Sequence, residues 1–309
     1  MTTPTQPEAT PKEHPAVKQA NLASDYWVYA LNVGLVLGGI ILLSIFGLLF
    51  SLLIDGNVED NVGNFLSSGF NWLIIGGIIT VVILVTIRMM RQMYLGNALQ
   101  VEYSDYAWLR DWSNTVAADL NMPRVEIMIT QDPVINAYAF GFMKPYTIVL
   151  NSGSIRWLTR EQLKAIVVHE MAHVKYHHTA MGAYATIIRT IPGVGAIFSW
   201  MIDFWSRRAE FTADRLALCY LQDPKLVKES LIRVHVGPDV AASFNDIARQ
   251  WQVYMTNNTF NTFTQTFSSH PFLVRRLQHI DEKYAEFSPT WTQAKANSKN
   301  EKEFIKEKK

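Results

Sequence analysis

The sequence is short of charge and almost without thiols. Lys, Arg, Asp and Glu make up 18% of its 309 residues, against about 25% in ordinary soluble domains. Part of the chain is therefore suited to a solvent other than water. The net charge is +1, which supplies no positive field for gripping phosphates and argues against nucleic acid as a partner. A single cysteine, Cys219, excludes an internal disulfide framework and a multi-thiolate metal site, and fits a reducing compartment. Cys219 falls on a different helix face from Asp214 and reads as a core residue. The 49% hydrophobic content removes the disordered class.

The missing charge is concentrated. Val28 to Ile54 runs 27 residues, and Phe70 to Ile87 runs 18, without Lys, Arg, Asp or Glu. A bilayer core needs about 20 apolar residues. Both runs read as membrane spans, with Tyr26, Trp27, Phe70 and Trp72 as interfacial aromatics. A soluble core helix of this length would normally keep a polar face. A cleavable signal would have an apolar core of about 7–15 residues behind a short basic leader. Here the leader exceeds twenty residues and carries Pro4, Pro7, Pro11 and Pro15. Residues 1–25 are expected to be a flexible tail and 26–90 a two-span anchor. The loop from Asp55 to Gly69 holds Asp55, Glu59 and Asp60 but no Lys or Arg. Lys12 and Lys18 precede the first span, and Arg88 and Arg91 follow the second. The positive-inside bias then puts both termini, and everything after Arg88, in the cytoplasm.

Residues 91–288 read as a folded domain. Tyr103 to Leu120 has amphipathic helical spacing, stopped by Asn121 and Pro123. Val125, Ile127 and Ile129 alternate with Glu126 and Met128 as a half-buried strand. A turn at Asp132-Pro133 follows, and Tyr146 to Leu150 reads as a second strand. Thr159 and Gln162 form a T-x-x-Q capping box ahead of Leu163, Ile166, Val167 and Met171, predicting a helix over about 159–178. The Lys- and Glu-rich end, 289–309, reads as a solvated tail.

Inside that helix lies His169-Glu170-Met171-Ala172-His173, an H-E-x-x-H string. Residues four apart share a helix face, so two imidazoles can meet one ion. Glu170 projects beside them and can take a proton from water activated by the metal. A catalytic zinc needs a third protein ligand. Candidates are His177, His178, His235, His270 and the carboxylates. His177 lies about 12 Å along the axis from His169 and is out of reach. Glu210 and Asp214 stand four apart on a second helix, where one could bind the metal and the other accept a ligand histidine's free N–H. Taken alone, such a pair is more often solvated surface.

With these residues in view the chain resembles a known family. Asn136-Ala-Tyr-Ala-Phe-Gly, the His169 motif, Glu210-x-x-x-Asp214 and Ser269-His-Pro-x-x-x-x-Arg276 occur in the order found in HtpX-like membrane gluzincin peptidases, relatives of the CAAX prenyl and Oma-type proteases. The resemblance covers roughly residues 100–285. It implies an α+β fold: a mainly helical zincin-like metallopeptidase domain with a small sheet, preceded by an N-terminal transmembrane hairpin. It also implies one Zn2+ per chain held by His169, His173 and Glu210, with Glu170 as general base. Asp214 would orient a ligand histidine, His270 would stabilise the oxyanion, and Arg276 would hold that segment or the substrate. Asn136, Ala137, Tyr138 and Ala139 would form an edge strand pairing with the substrate backbone. Phe272 departs from the family's usual second proline and makes the role of His270 less secure.

Ala180 to Trp205 is a third apolar stretch, interrupted by Arg189, Pro192 and Asp203. Its residues reach about 39 Å as helix, too short for two passes of a core about 30 Å thick. A helical hairpin broken near Pro192-Gly193 and associated with the membrane surface is expected; a buried soluble hairpin is the alternative. Met255 to Ser269, with Phe260, Phe263 and Phe267, reads as a linker or a lid. The function expected is a multi-pass inner (plasma) membrane zinc endopeptidase, facing the cytoplasm, that acts on membrane or unfolded polypeptides in quality control. The alternatives are a non-proteolytic zinc-containing scaffold or a CAAX-type processing protease. The sequence does not indicate an oligomeric state.

Overall fold

The computed structural model describes residues 14–55, 58–190, 194–265, 268 and 270–307. Its frame is mainly helical, around a small mixed sheet. The sheet joins β1 (Leu99–Gln100), β2 (Val125–Thr130), β4 (Tyr146–Asn151) and β3 (Ala137–Phe140), in that spatial order. β2 and β4 are parallel, Ile127 opposite Ile148, while β1 and β3 run antiparallel to their neighbours. Both strands expected from the sequence are present, the first as β2 and the second, buried along its whole length, as β4. β3 lies at the sheet's edge, as the resemblance implies.

Five helices cover the sheet or brace its cover: α4 (Ala107–Asp119), α5 (Ser152–Trp157), α6 (Arg160–Lys175), α7 (His178–Thr190) and α8 (Val194–Leu221). Thr159 accepts from the Gln162 backbone and Gln162 reaches back to the Thr159 N–H, closing the box that starts α6. Val167, Val168 and Met171 of α6 pack into one core with Ile148 and Leu150 of the sheet and Ala213, Leu216 and Ala217 of α8. Cys219 belongs to that core at 1% exposure, and burial pushes its thiol up to about 12. After α9 (Pro224–Val236), α10 (Asp246–Thr256) and α11 (Thr259–Gln265), the chain ends in α12 (Leu273–Glu307).

Several expectations need correction. The helix expected over 103–120 begins at Ala107, after a tight turn at Val101–Tyr103. The helix expected to reach His178 stops at Lys175, because His177 takes a left-handed φ of 59°. The C-terminal stretch from 289 is not simply a tail: α12 runs through Pro289 to Glu307, and Trp291 is buried against Phe287. Nor is 1–25 all tail. Pro15–Ala20 forms α1, started by a Pro at its first turn, and its Ala16, Val17 and Ala20 are buried at 1%, 1% and 0% exposure.

α1 leads into α2 (Ala23–Asp55), which is followed by α3 (Val58–Asn97). Among the described residues one stretch, Gly76–Asn97, is long and apolar enough to cross a membrane. α3 is tied to the sheet by a bidentate pair, Arg91 Nε to Glu126 Oε2 at 2.7 Å and Nη2 to Oε1 at 2.6 Å. α7 and α8 pack together through Ala185, Phe198, Met201 and Ile202, and Arg189 pairs with Asp203 between them. The break expected near Pro192-Gly193 lies outside the described residues, as do Ser269 and Phe267. Phe260 and Phe263 are exposed on α11.

The start of α2 is clamped to α8. Asp25 accepts from Arg208 at 2.7 Å and from Thr212 at 3.1 Å, and it pairs with the buried Arg215. Arg215 Nε also donates to the Ala20 carbonyl at 3.0 Å. Removing the carboxylate leaves Arg215 buried without its counter-ion, a loss of about 3 kcal/mol. Asp25→Ala is therefore expected to lower the melting temperature in detergent by several degrees; an unchanged transition would mean that this segment is not docked.

Candidate metal centre

His169 and His173 project from one face of α6, four residues apart, toward α8. Their Nε2 atoms lie 3.3 Å apart. Glu210, on α8, places Oε2 3.4 Å from His169 Nε2 and Oε1 3.8 Å from His173 Nε2. Atoms at zinc–nitrogen or zinc–oxygen distance from one tetrahedral ion are about 3.3 Å from each other. The three donor atoms already approximate one face of that tetrahedron, and they form the one such His/Cys/acid group found among the described residues. Two neutral-capable imidazoles and a carboxylate are also the donor chemistry that zinc prefers. The residues fit the metal.

The charges around them are set for a cation. Arg276, 3% exposed, donates through Nε and Nη2 to both oxygens of Asp214, at 2.8 and 2.7 Å. Its Nη1 stands 3.0 Å from Glu210 Oε2. One guanidinium thus serves two carboxylates. Burial opposes the charge of Asp214, but Arg276 and then His169 outweigh it and hold the carboxyl at about 2. Burial likewise opposes charge on His169, whose Nδ1 sits 3.0 Å from Asp214 Oδ1, yet the carboxylates of Asp214 and Glu210 raise it to about 10. The site draws positive charge to that position. His173 is pushed down to about 4 by burial and stays neutral, the form a metal ligand requires.

Glu170 is buried beside this group. Desolvation lifts its carboxyl to about 7; His169, the Ala139 backbone N–H and Arg276 pull the other way. The Ala139 contact joins the Glu170 carboxyl directly to β3. The edge strand is itself pinned, since Asn136 exchanges hydrogen bonds with Ser154 Oγ at 2.8 and 3.0 Å, and its carbonyl accepts from the Asn151 N–H at 3.0 Å. Asn136 Oδ1 accepts from the Ala137 N–H at 3.0 Å. The Tyr138 ring turns to Tyr94 of α3, in hydroxyl contact.

The remaining candidates separate cleanly. His270 reaches in from an exposed loop, with Nδ1 3.3 Å from Glu210 Oε1. That loop is tethered by Arg207, which donates to the Ser268 carbonyl at 2.6 Å. His235 Nδ1 lies 2.9 Å from the Leu231 carbonyl and is outside the ligand group. His177 is exposed at the α6–α7 break. His178 lies outside the group of three donors but touches one of them: its Nδ1 is 3.1 Å from His173 Nδ1. Sequence spacing could not find that contact, because it depends on the break. His178 also walls a cavity of about 710 Å³ with Tyr26, Trp27, Trp205 and Arg208.

A non-ligand role for His177 is testable. A left-handed φ costs an ordinary residue about 1–2 kcal/mol, so His177→Gly should keep full zinc stoichiometry and melt no lower than wild type. Glu210→Gln should weaken zinc at least tenfold in chelator competition. Zinc loss in His177→Gly would overturn the ligand assignment.

Residues 104–284 match peptidase family M48. The plastoglobule-localized metallopeptidase 48 of Arabidopsis thaliana chloroplasts is 30% identical over 207 residues, covering 61% of this chain and 60% of that protein. The HtpX homolog 2 protease of Methanosarcina acetivorans is 25% identical over 228 residues, covering 61% of this chain and 76% of its own. The crystal structure of S. mikatae Ste24p aligns with a TM-score of 0.44 at 16% identity, covering 82% of this chain and 65% of that one. The chain spans about three fifths of the plant relative's length. Because the M48 match takes in more than half of its residues, together with His169, Glu170, His173, Glu210 and Asp214, the chain belongs to peptidase family M48.

Proposed function

We propose that this chain is a membrane-anchored zinc endopeptidase. The observation that carries the reading is the placement of Glu170. It is one residue from a ligand histidine, buried, and hydrogen-bonded to the backbone of an edge strand. A structural zinc site needs no such base, and this disfavours the scaffold reading. His169, His173 and Glu210 would hold the ion, which would supply Lewis acidity at the site when bound. Glu170 accepts the water's proton and passes it to the departing amine. The Asn136–Ala139 edge lays the substrate backbone across the site by strand addition, which requires Ala139 to share its N–H between Glu170 and the peptide. His270, exposed and 3.3 Å from Glu210 Oε1, is close enough to serve the developing oxyanion. Asp214 orients His169, and Arg276 fixes Asp214 and Glu210.

In this reading α2 and α3 are the two spans of residues 26–90, the paired α7 and α8 arms of 180–205 lie at the membrane surface, and 91–288 is the peptidase domain on the cytoplasmic face. Substrates are membrane or unfolded polypeptides reached at the bilayer, in quality control. A CAAX-type enzyme would need more spans to enclose a chamber.

Two measurements test this. Detergent-purified wild type should digest an unfolded protein, and Glu170→Gln should lose at least 10²-fold activity while retaining zinc; equal cleavage by both would remove Glu170 as the base. In a Cys219→Ser background, a cysteine at Glu59 should be labelled by an impermeant maleimide from outside intact cells, and one at Lys225 only after lysis. The reverse pattern would overturn the orientation.

A further inference from the structure

We propose that His178 is the positioning residue for His173, the counterpart of Asp214 at His169. The proposal rests on the zinc reading above and concerns how the second imidazole is aimed.

The two ligand histidines have different outer partners. His169 turns Nε2 to the metal position and Nδ1 to Asp214. His173 turns Nε2 to the same position, and its Nδ1 faces His178 Nδ1 at 3.1 Å. An imidazole that gives its Nε2 lone pair to a metal while neutral must carry its proton on Nδ1. The direction of this contact is therefore fixed. His173 Nδ1–H donates, the His178 Nδ1 lone pair accepts, and His178 carries its own proton on Nε2. His178 is held edge-on at 5.1 Å from His173 and 5.7 Å from Trp205, and tilted at 5.9 Å from Tyr176. These rings restrict its orientation.

The backbone is arranged to bring it there. In an unbroken helix, a residue five places on would point about 140° away from His173. The left-handed His177 ends α6 and restarts the chain as α7, so that His178 folds back over His173. An energetically unfavourable conformation is thereby maintained at the point where it produces this contact.

The test compares three proteins: wild type, His178→Phe, which keeps a ring and removes the acceptor, and His178→Asn, whose Oδ1 replaces Nδ1. Loss of such a partner costs about 10–100-fold in metal affinity. His178→Phe should bind zinc at least tenfold more weakly in chelator competition, and its cobalt-substituted form should show a shifted visible spectrum. His178→Asn should restore both toward wild type. Thermal melting of the zinc-free proteins monitors folding separately. Wild-type affinity and spectrum in His178→Phe would overturn the proposal, as would equal loss in both variants at unchanged stability. If instead no form of the protein, wild type included, binds zinc, the metal reading fails rather than the role of His178.

Discussion

Arg276 brings a full positive charge into the interior, where an unpaired ion would cost several kcal/mol. It is tolerated because two carboxylates surround it, Asp214 through a bidentate pair and Glu210 through the third nitrogen. The balance is deliberate in its remainder. One guanidinium offsets one carboxylate, and the excess negative charge is directed at His169 and His173. A rigid, anionic, nitrogen-rich position is the physical requirement for holding a dication. The same guanidinium also joins the start of α12 to α8, so that packing of the C-terminal helix and aiming of the ligand carboxylate are one event.

α8 distributes this constraint through the molecule. Arg207, Glu210 and Asp214 follow helical spacing on the side facing the metal position and the His270 loop. Arg208, Thr212 and Arg215 follow it on the side facing Asp25. Further back, Asp203 pairs with Arg189 between the apolar arms. A single helix therefore carries contacts to the apolar arms, the N-terminal segment and the site. Movement of the anchor at Asp25 would bear on Glu210 through less than one turn of α8.

The legible parts of the sequence were the local ones. The capping box at Thr159 and Gln162 and the H-E-x-x-H string lie within single helices, where spacing alone determines which side chains meet. The alternation of Val125, Ile127 and Ile129 marked a strand for the same reason. α1 was missed because six residues hold too few periods for an apolar pattern, and its burial depends on α8, nearly two hundred residues later. The end of α6 is not legible because histidine, although enriched among left-handed residues, adopts that conformation too rarely to announce a break. Glu210 was not singled out by spacing alone, since an acidic pair on a helix is ordinarily surface; family resemblance supplied what geometry then made concrete. The outer contact of His178 required the unforeseen break.

The central claim is that two imidazoles and one carboxylate, those of His169, His173 and Glu210, hold the metal. Zinc K-edge X-ray absorption on the purified, zinc-loaded protein addresses it most directly. Two imidazole ligands at about 2.0–2.1 Å, with the remaining positions filled by oxygen, are expected, together with a lower zinc content in Glu210→Gln. A shell of three imidazoles, unchanged in Glu210→Gln, would contradict it and give the third position to another histidine.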